Sequence, residues 1–303
     1  MEDNIIYIYC NNKQNNSKNK EKIRNWGVTK FKMKAIEIKK LKKSINGKLI
    51  LKEINLNIYE GEIYSLLGPN GAGKTTTIYT LLGLLKKDDG EIKIFGEELS
   101  KKHFKEIGLM FEIETYNLEW SVIDNLKHMC YLFGVDEHRI YDYVEMLDLK
   151  REDFRKKFKQ LSKGTKRKIS LIGALIHDPK ILILDEPTSG LDPEIQVVFK
   201  KLLLDLKKRG KTVLFVSHNL YEVQEISDRI GFIKSGETIF EIPVSEKFYL
   251  VEGDYPEFQT YRVKNSKLYV FDEKMFLKIK PKNYQMIEKL EDLYAKFIEG
   301  RVS

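Results

Sequence analysis

Residues Gly68, Pro69, Asn70, Gly71, Ala72, Gly73, Lys74 and Thr75 fit the pattern G-x-x-x-x-G-K-[ST], with Thr76 following. Between a strand and a helix, such a run is suited to wrapping phosphates. Its glycines let the backbone approach closely, and its N–H groups and the helix N-terminus supply partial positive charge. In that geometry Lys74 reaches β- and γ-phosphates and the Thr75 hydroxyl meets Mg²⁺. A second feature complements it: the apolar run of residues 181–184 ends in Asp185 and Glu186. Asp185 suits Mg²⁺, held through water, and Glu186 suits a general base acting on an attacking water. His218 ends the next apolar strand, in VLFVSHN, and strand-end placement aims it at the same pocket, toward a γ-phosphate.

A further anion-facing turn lies in LSKGT, residues 161–165. Ser162 reads as the N-cap of a helix through Ile169, Ile172 and Ile176, and the flexible Gly164 leaves amides free for an anion. Cap grammar alone leaves a plain cap and an anion site equally supported. Asp192 has a local explanation, as an N-cap with Pro193 at the first helical position.

The elements needed to position these residues are legible as alternating patterns. AIEIKKL, ILKEINLNIY and EIYSLL read as strands, KTTTIYTLLGLL as a helix, and GEIKIFGEEL as a short hairpin. From about 113 to 176 the pattern turns helical: Val122, Leu126, Met129 and Phe133 keep helical spacing behind a Ser121–Asp124 capping pair, as do Ile140, Val144 and Leu147. Strand ILILD, a helix, strand KTVLFVSH, a helix and hairpin RIGFIKSGETIFEI follow. Strands alternating with helices predict an α/β fold with a mostly parallel sheet, an antiparallel N-terminal part and an inserted helical subdomain. Residues 243–303 read as a small accessory region, with a hairpin across Asn265–Ser266 and a helical stripe of Ile287, Leu290, Tyr294 and Phe297.

Residues 1–33 differ in texture. Residues 1–32 hold seven Asn, and seven basic residues against three acidic. Too little apolar surface is available there to offset ordering entropy, so a disordered leader is expected. Folding is expected to begin at Met33, which is also a candidate start of the chain. The whole chain of 303 residues carries a formal net charge of +8, which permits anionic partners without requiring them. Cys10 and Cys130 have no metal or disulfide spacing, which fits a reducing compartment. No apolar run approaches the ~20 residues that span a bilayer, so any membrane process needs another chain to do the spanning.

In order along residues 34–242, GPNGAGKT, LSKGT, ILILDE, SGLD (Ser189 to Asp192) and His218 resemble the motif set of the ATP-binding subunit of an ATP-binding cassette (ABC) transporter. The resemblance implies a P-loop core that binds ATP and Mg²⁺ and hydrolyses ATP, and two cassettes, alike or different, paired head to tail. Ser162 and Gly164 would then contact the γ-phosphate held by the other cassette's loop, with Glu186 as catalytic base and His218 as switch histidine. Three positions depart from the family: Lys163 stands where Gly is usual, and Glu112 where a Mg²⁺-sensing glutamine is usual. Ile45 stands where an aromatic usually stacks on adenine, so weak discrimination of ATP from GTP is expected. The tail LEDLYAKFIEGR is similar to cassettes of drug and bacteriocin exporters whose permease is a separate chain. A transmembrane permease, a second cassette and a cytoplasmic position at the inner face of the membrane follow from the resemblance, and no nucleic acid is expected. A soluble cassette ATPase acting on ribosomes or nucleic acid is the alternative. The basic charge admits it, but the sequence has no second cassette, long coiled coil or zinc cluster.

Overall fold

The alternating run after Met33 forms β1 (Lys34–Ile45), which an Asn46–Gly47 turn returns as β2 (Lys48–Tyr59). Both turn residues have positive φ, 51° and 75°, as a tight two-residue hairpin demands. The computed structural model describes residues 33–299, so the expected leader lies, apart from Met33, outside the described residues. β3 (Ile63–Leu67) leads to α1 (Lys74–Leu81), followed by hairpin β4 (Asp89–Ile94) and β5 (Glu97–Glu98), then β6 (Ile107–Met110). After α2 (Val122–Phe133) and α3 (Lys163–Leu175) the chain continues through β7 (Ile181–Asp185), α4 (Pro193–Lys208), β8 (Thr212–Val216) and α5 (Leu220–Ile226). Hairpin β9 (Arg229–Lys234) and β10 (Glu237–Pro243) closes this part.

Ten strands form one sheet in the order β5-β4-β1-β2-β10-β9-β3-β8-β7-β6. β9, β3, β8, β7 and β6 run parallel, whereas β1, β2, β4 and β5 pair antiparallel. Every residue of β3, β7 and β8 is buried, which is why their sequences are near-continuous apolar runs rather than alternating ones. The consequence for function is positional. The glycine-rich loop follows β3, Asp185 ends β7 with Glu186 just after it, and His218 follows β8, so three adjacent strands deliver these residues to one sheet edge.

Between β6 and β7, α2 starts at Ser121, whose hydroxyl accepts the Asp124 N–H at 3.1 Å, and stops at Gly134 with φ 67°. The helix anticipated over Ile140–Leu147 is instead a 3₁₀ turn, Glu137–Tyr141, followed by further turns. The Asp136 carboxylate accepts the His138 N–H at 2.9 Å and caps the start of this 3₁₀ turn, and Asp148 at φ 49° closes the stretch. Ile140 and Leu147 are still fully buried: the spacing reported burial, not an α-helix.

Beyond β10, strands β11 (Phe248–Glu252), β12 (Leu268–Asp272) and β13 (Tyr284–Ile287) form an antiparallel sheet ordered β12-β11-β13, with α6 (Glu273–Ile279) and α7 (Leu290–Tyr294) beside them. Two expectations are corrected here. The hairpin across Asn265–Ser266 shrinks to one bridge, Arg262 to Tyr269, while β12 pairs with β11 over five residues. The reason is competition: the Lys264 N–H donates to Ile239 O of β10 at 2.9 Å, drawing that segment to the main sheet. The C-terminal stripe also divides, with Ile287 in β13, Leu290 and Tyr294 on α7 and Phe297 in a π-helical turn, Ala295–Glu299. Phe248, Val270, Phe271, Leu290 and Leu293 share one apolar core with Phe232 and Phe240, so this region is packed onto the main sheet.

Candidate functional site

Gly73 caps α1 with φ 106°, a conformation that suits glycine and no other residue. The loop is braced by short local bonds: Ala72 N–H to Pro69 O at 3.1 Å, and the Thr77 hydroxyl to Gly73 O at 2.8 Å. From outside, the Gly236 N–H donates to Ala72 O at 2.9 Å. Lys74 folds back over the loop, donating to Gly68 O at 2.8 Å and Pro69 O at 3.3 Å, with Nζ 4.0 Å from Glu186 Oε1. Burial lowers its pKa, against the opposing pull of the Glu186, Asp185 and Glu112 charges. A buried ammonium is thus held by carbonyls at the mouth of an amide-lined loop, where phosphate oxygens would satisfy it better.

Asp185 is buried with neither carboxylate oxygen hydrogen-bonded. Burial pushes its pKa up to about 6, with the Thr75 hydroxyl counteracting and the Glu186 and Glu112 charges adding to the rise. An orphaned buried carboxylate beside a hydroxyl fits a hard divalent cation, which keeps waters and needs only one or two protein carboxylates. Thr75, Asp185 and Glu112 are the residues that would hold Mg²⁺, which when bound supplies positive charge to phosphate oxygens.

The titration of Asp185 has a sign. With its folded pKa raised, the native state binds more protons than the unfolded chain between pH ~4 and ~6. Stability therefore falls as pH rises through that window. Asp185→Asn is expected to stabilise the nucleotide-free protein at pH 8 by roughly 2–3 kcal/mol, at ~1.4 kcal/mol per pKa unit. The gain disappears near pH 4. Urea unfolding at both pH values checks this, and a pH-independent gain would contradict it.

Glu186 has φ 49°, a left-handed conformation that costs a residue with a Cβ about 1 kcal/mol or more and persists only where the surroundings impose it. Its N–H bonds to Val216 O at 2.9 Å. Its carboxylate lies between Lys74 and His218, whose Nδ1 is 2.8 Å from Glu186 Oε2. The His218 side chain is 54 % exposed, against 10 % for Glu186, so the imidazole reaches outward from a buried carboxylate. This pair can hold and pass a proton at the rim of the phosphate loop.

Glu112 follows β6 and is exposed. Arg167 of α3 grips its segment, donating to Phe111 O at 2.7 Å and Glu112 O at 2.5 Å. Sequence reasoning passed over Arg167, which stands in the basic run after LSKGT; only its burial, 56 residues from its partner, separates it from solvated lysines. Ser162 caps α3, its Oγ accepting the Thr165 N–H at 3.2 Å. Gly164 is occluded by α4, since a Cβ there would lie 2.2 Å from Ile195 Cδ1. Lys163 donates to Ser189 O at 2.7 Å. Asp192 caps α4 by position, without a side-chain cap bond. Ile45 ends β1 and is half-buried. The structure thus brings Lys74, Asp185, Glu186 and His218 together. Among the described residues, no hydrogen bond or ion pair joins Ser162 or Gly164 to the Gly68–Thr76 loop.

Residues 51–189 match the family model described as ABC transporter. The lantibiotic transport ATP-binding protein SrtF of Streptococcus pyogenes is 38 % identical over 206 residues, covering 68 % of this chain and 90 % of that protein. The bacitracin transport ATP-binding protein BcrA of Bacillus licheniformis is 38 % identical over 195 residues, 63 % of each chain. The Nod factor export ATP-binding protein I of Burkholderia lata is 34 % identical, covering 68 % of this chain and 70 % of that one. Among solved structures, the dimeric bacterial ABC transporter cassette MJ0796 superposes with a TM-score of 0.64 at 28 % identity, over 69 % of this chain and 98 % of that one.

Proposed function

The chain belongs to the ATP-binding subunits of ABC transporters, and from that membership we propose that it hydrolyses ATP to drive export through a separate membrane permease. The relative named for Nod factor export supports the direction, and those named for lantibiotic and bacitracin transport support a transport role. Among the described residues no helix is long and apolar enough to cross a membrane, which fits a subunit that relies on another chain for the pore. In this reading the Gly68–Thr76 loop takes the phosphates, and Lys74 leaves its carbonyls for the β- and γ-oxygens. Thr75, Asp185 and Glu112 meet Mg²⁺. Glu186 accepts the proton of the attacking water, and His218 steadies Glu186 and faces the γ-phosphate.

The observation that carries the reading is the 2.8 Å Glu186–His218 pair set 4.0 Å from Lys74 on adjacent strand ends. Ser162 and Gly164 complete a site only from a second copy, in keeping with the dimeric MJ0796 cassette. Binding of ATP at the shared site closes the pair, closure moves the permease, and hydrolysis releases it. The test is affinity purification of the tagged chain from its own cells in mild detergent. A polytopic permease in the eluate is the expected result; ribosomes in its place would favour the soluble alternative.

A further inference from the structure

The β9–β10 turn is seated on the phosphate loop. Besides the bond from Gly236 to Ala72, Gly236 O accepts the N–H groups of Lys52 at 2.8 Å and Glu53 at 3.1 Å, both on β2. The fit is tight: a Cβ on Gly236 would lie 2.1 Å from Ile50 O. One residue past the turn, Glu237 and Glu53 face each other as the cross-strand pair of the parallel β10–β2 joint. Like charges set directly opposite on neighbouring strands repel. The cation between them comes from the C-terminal region: Lys264 Nζ lies 3.0 Å from Glu53 Oε2 and 3.1 Å from Glu237 Oε1. Its hydrogen bond holds the Glu53 carboxyl below the usual range. The Lys264 backbone is itself pinned to β10 through Ile239 O.

We propose that Lys264 is a positioning residue for the phosphate loop: by neutralising Glu53 and Glu237 it holds β2 against β10, keeps the Gly236 turn on Ala72, and makes nucleotide affinity depend on the C-terminal region. The inference rests on Gly68–Thr75 being the nucleotide loop. Lys264 touches none of the reacting groups, so its removal acts on affinity rather than on the chemical step. The three side chains are 20 %, 39 % and 31 % exposed, which keeps the effect modest and sensitive to salt.

The experiment measures ATPase kinetics, binding of a fluorescent ATP analogue and urea unfolding on the full chain. The variants are Lys264→Met, Lys264→Arg and the double variant Lys264→Met/Glu237→Gln. Lys264→Met is expected to raise KM and Kd by about 2- to 5-fold, with kcat changed by less than about 1.5-fold. Glu237→Gln added to it removes the repulsion and returns KM toward wild type, and Lys264→Arg keeps it there. A Lys264→Met protein with a shifted unfolding midpoint but wild-type KM overturns the proposal, as does a raised KM that Glu237→Gln leaves in place. Should Lys264→Met not fold, the double variant decides: wild-type KM supports the proposal and a raised KM overturns it. Lys74→Ala serves as the control, since retained nucleotide binding in that variant would point to a wrong loop assignment rather than to an idle Lys264.

Discussion

Glu186→Gln is expected to lower ATP turnover by roughly 10²–10⁴, the usual contribution of a general base, while nucleotide binding persists. The geometry explains both halves. Glutamine keeps the size of the side chain and its reach toward His218 Nδ1, 2.8 Å away, but it accepts no proton from water. It also removes one of the negative charges beside Lys74 and Asp185, which favours an incoming polyphosphate. Bound ATP is therefore expected to stay unhydrolysed and hold two copies together longer, giving a dimer in ATP and Mg²⁺ that wild type passes through only briefly. Single-turnover kinetics and size-exclusion chromatography check the two effects. Wild-type turnover in the variant would remove Glu186 from its role.

Lys74→Ala is expected to weaken ATP binding by about 10²–10³-fold, because truncating one partner of a desolvated charge pair costs ~2–5 kcal/mol. Lys74 resides on Gly68 O and Pro69 O, and its aliphatic stem is buried with it. Binding exchanges those carbonyls for charged phosphate oxygens, a stronger partnership. The loss falls mainly on ATP and ADP, and AMP binding changes little. Isothermal titration with the three nucleotides measures this, and an equal loss for AMP would place Lys74 away from the β- and γ-phosphates.

What the sequence disclosed about this site follows from how local each constraint is. The glycine-rich loop, the Ser162 cap and the carboxylates ending β7 depend on neighbours within a few residues, so spacing and residue type expose them. Lys264 between Glu53 and Glu237, and Arg167 on the carbonyls of Phe111 and Glu112, depend on partners brought close only by folding. Each stands in a lysine-rich context where solvated charges look the same. The left-handed backbone of Glu186 is invisible for a related reason: surrounding structure imposes it against the residue's own preference. The expected hairpin at Asn265–Ser266 had correct turn chemistry. It gave way because β10 offered the Lys264 N–H a better partner than β12 did.

Among the described residues no hydrogen bond or ion pair ties Ser162 or Gly164 to the loop they are proposed to serve, so catalysis as proposed requires a site shared by two copies. It is tested most directly by mixing two defective chains, Lys74→Ala and Ser162→Arg, and measuring ATPase activity. Each variant alone is expected to be nearly inactive. Random pairing of the two leaves one intact composite site in half of the dimers, so the mixture recovers ~25 % of wild-type activity. A mixture no more active than its components, together with wild-type turnover that stays constant on dilution to a strict monomer, would contradict the account.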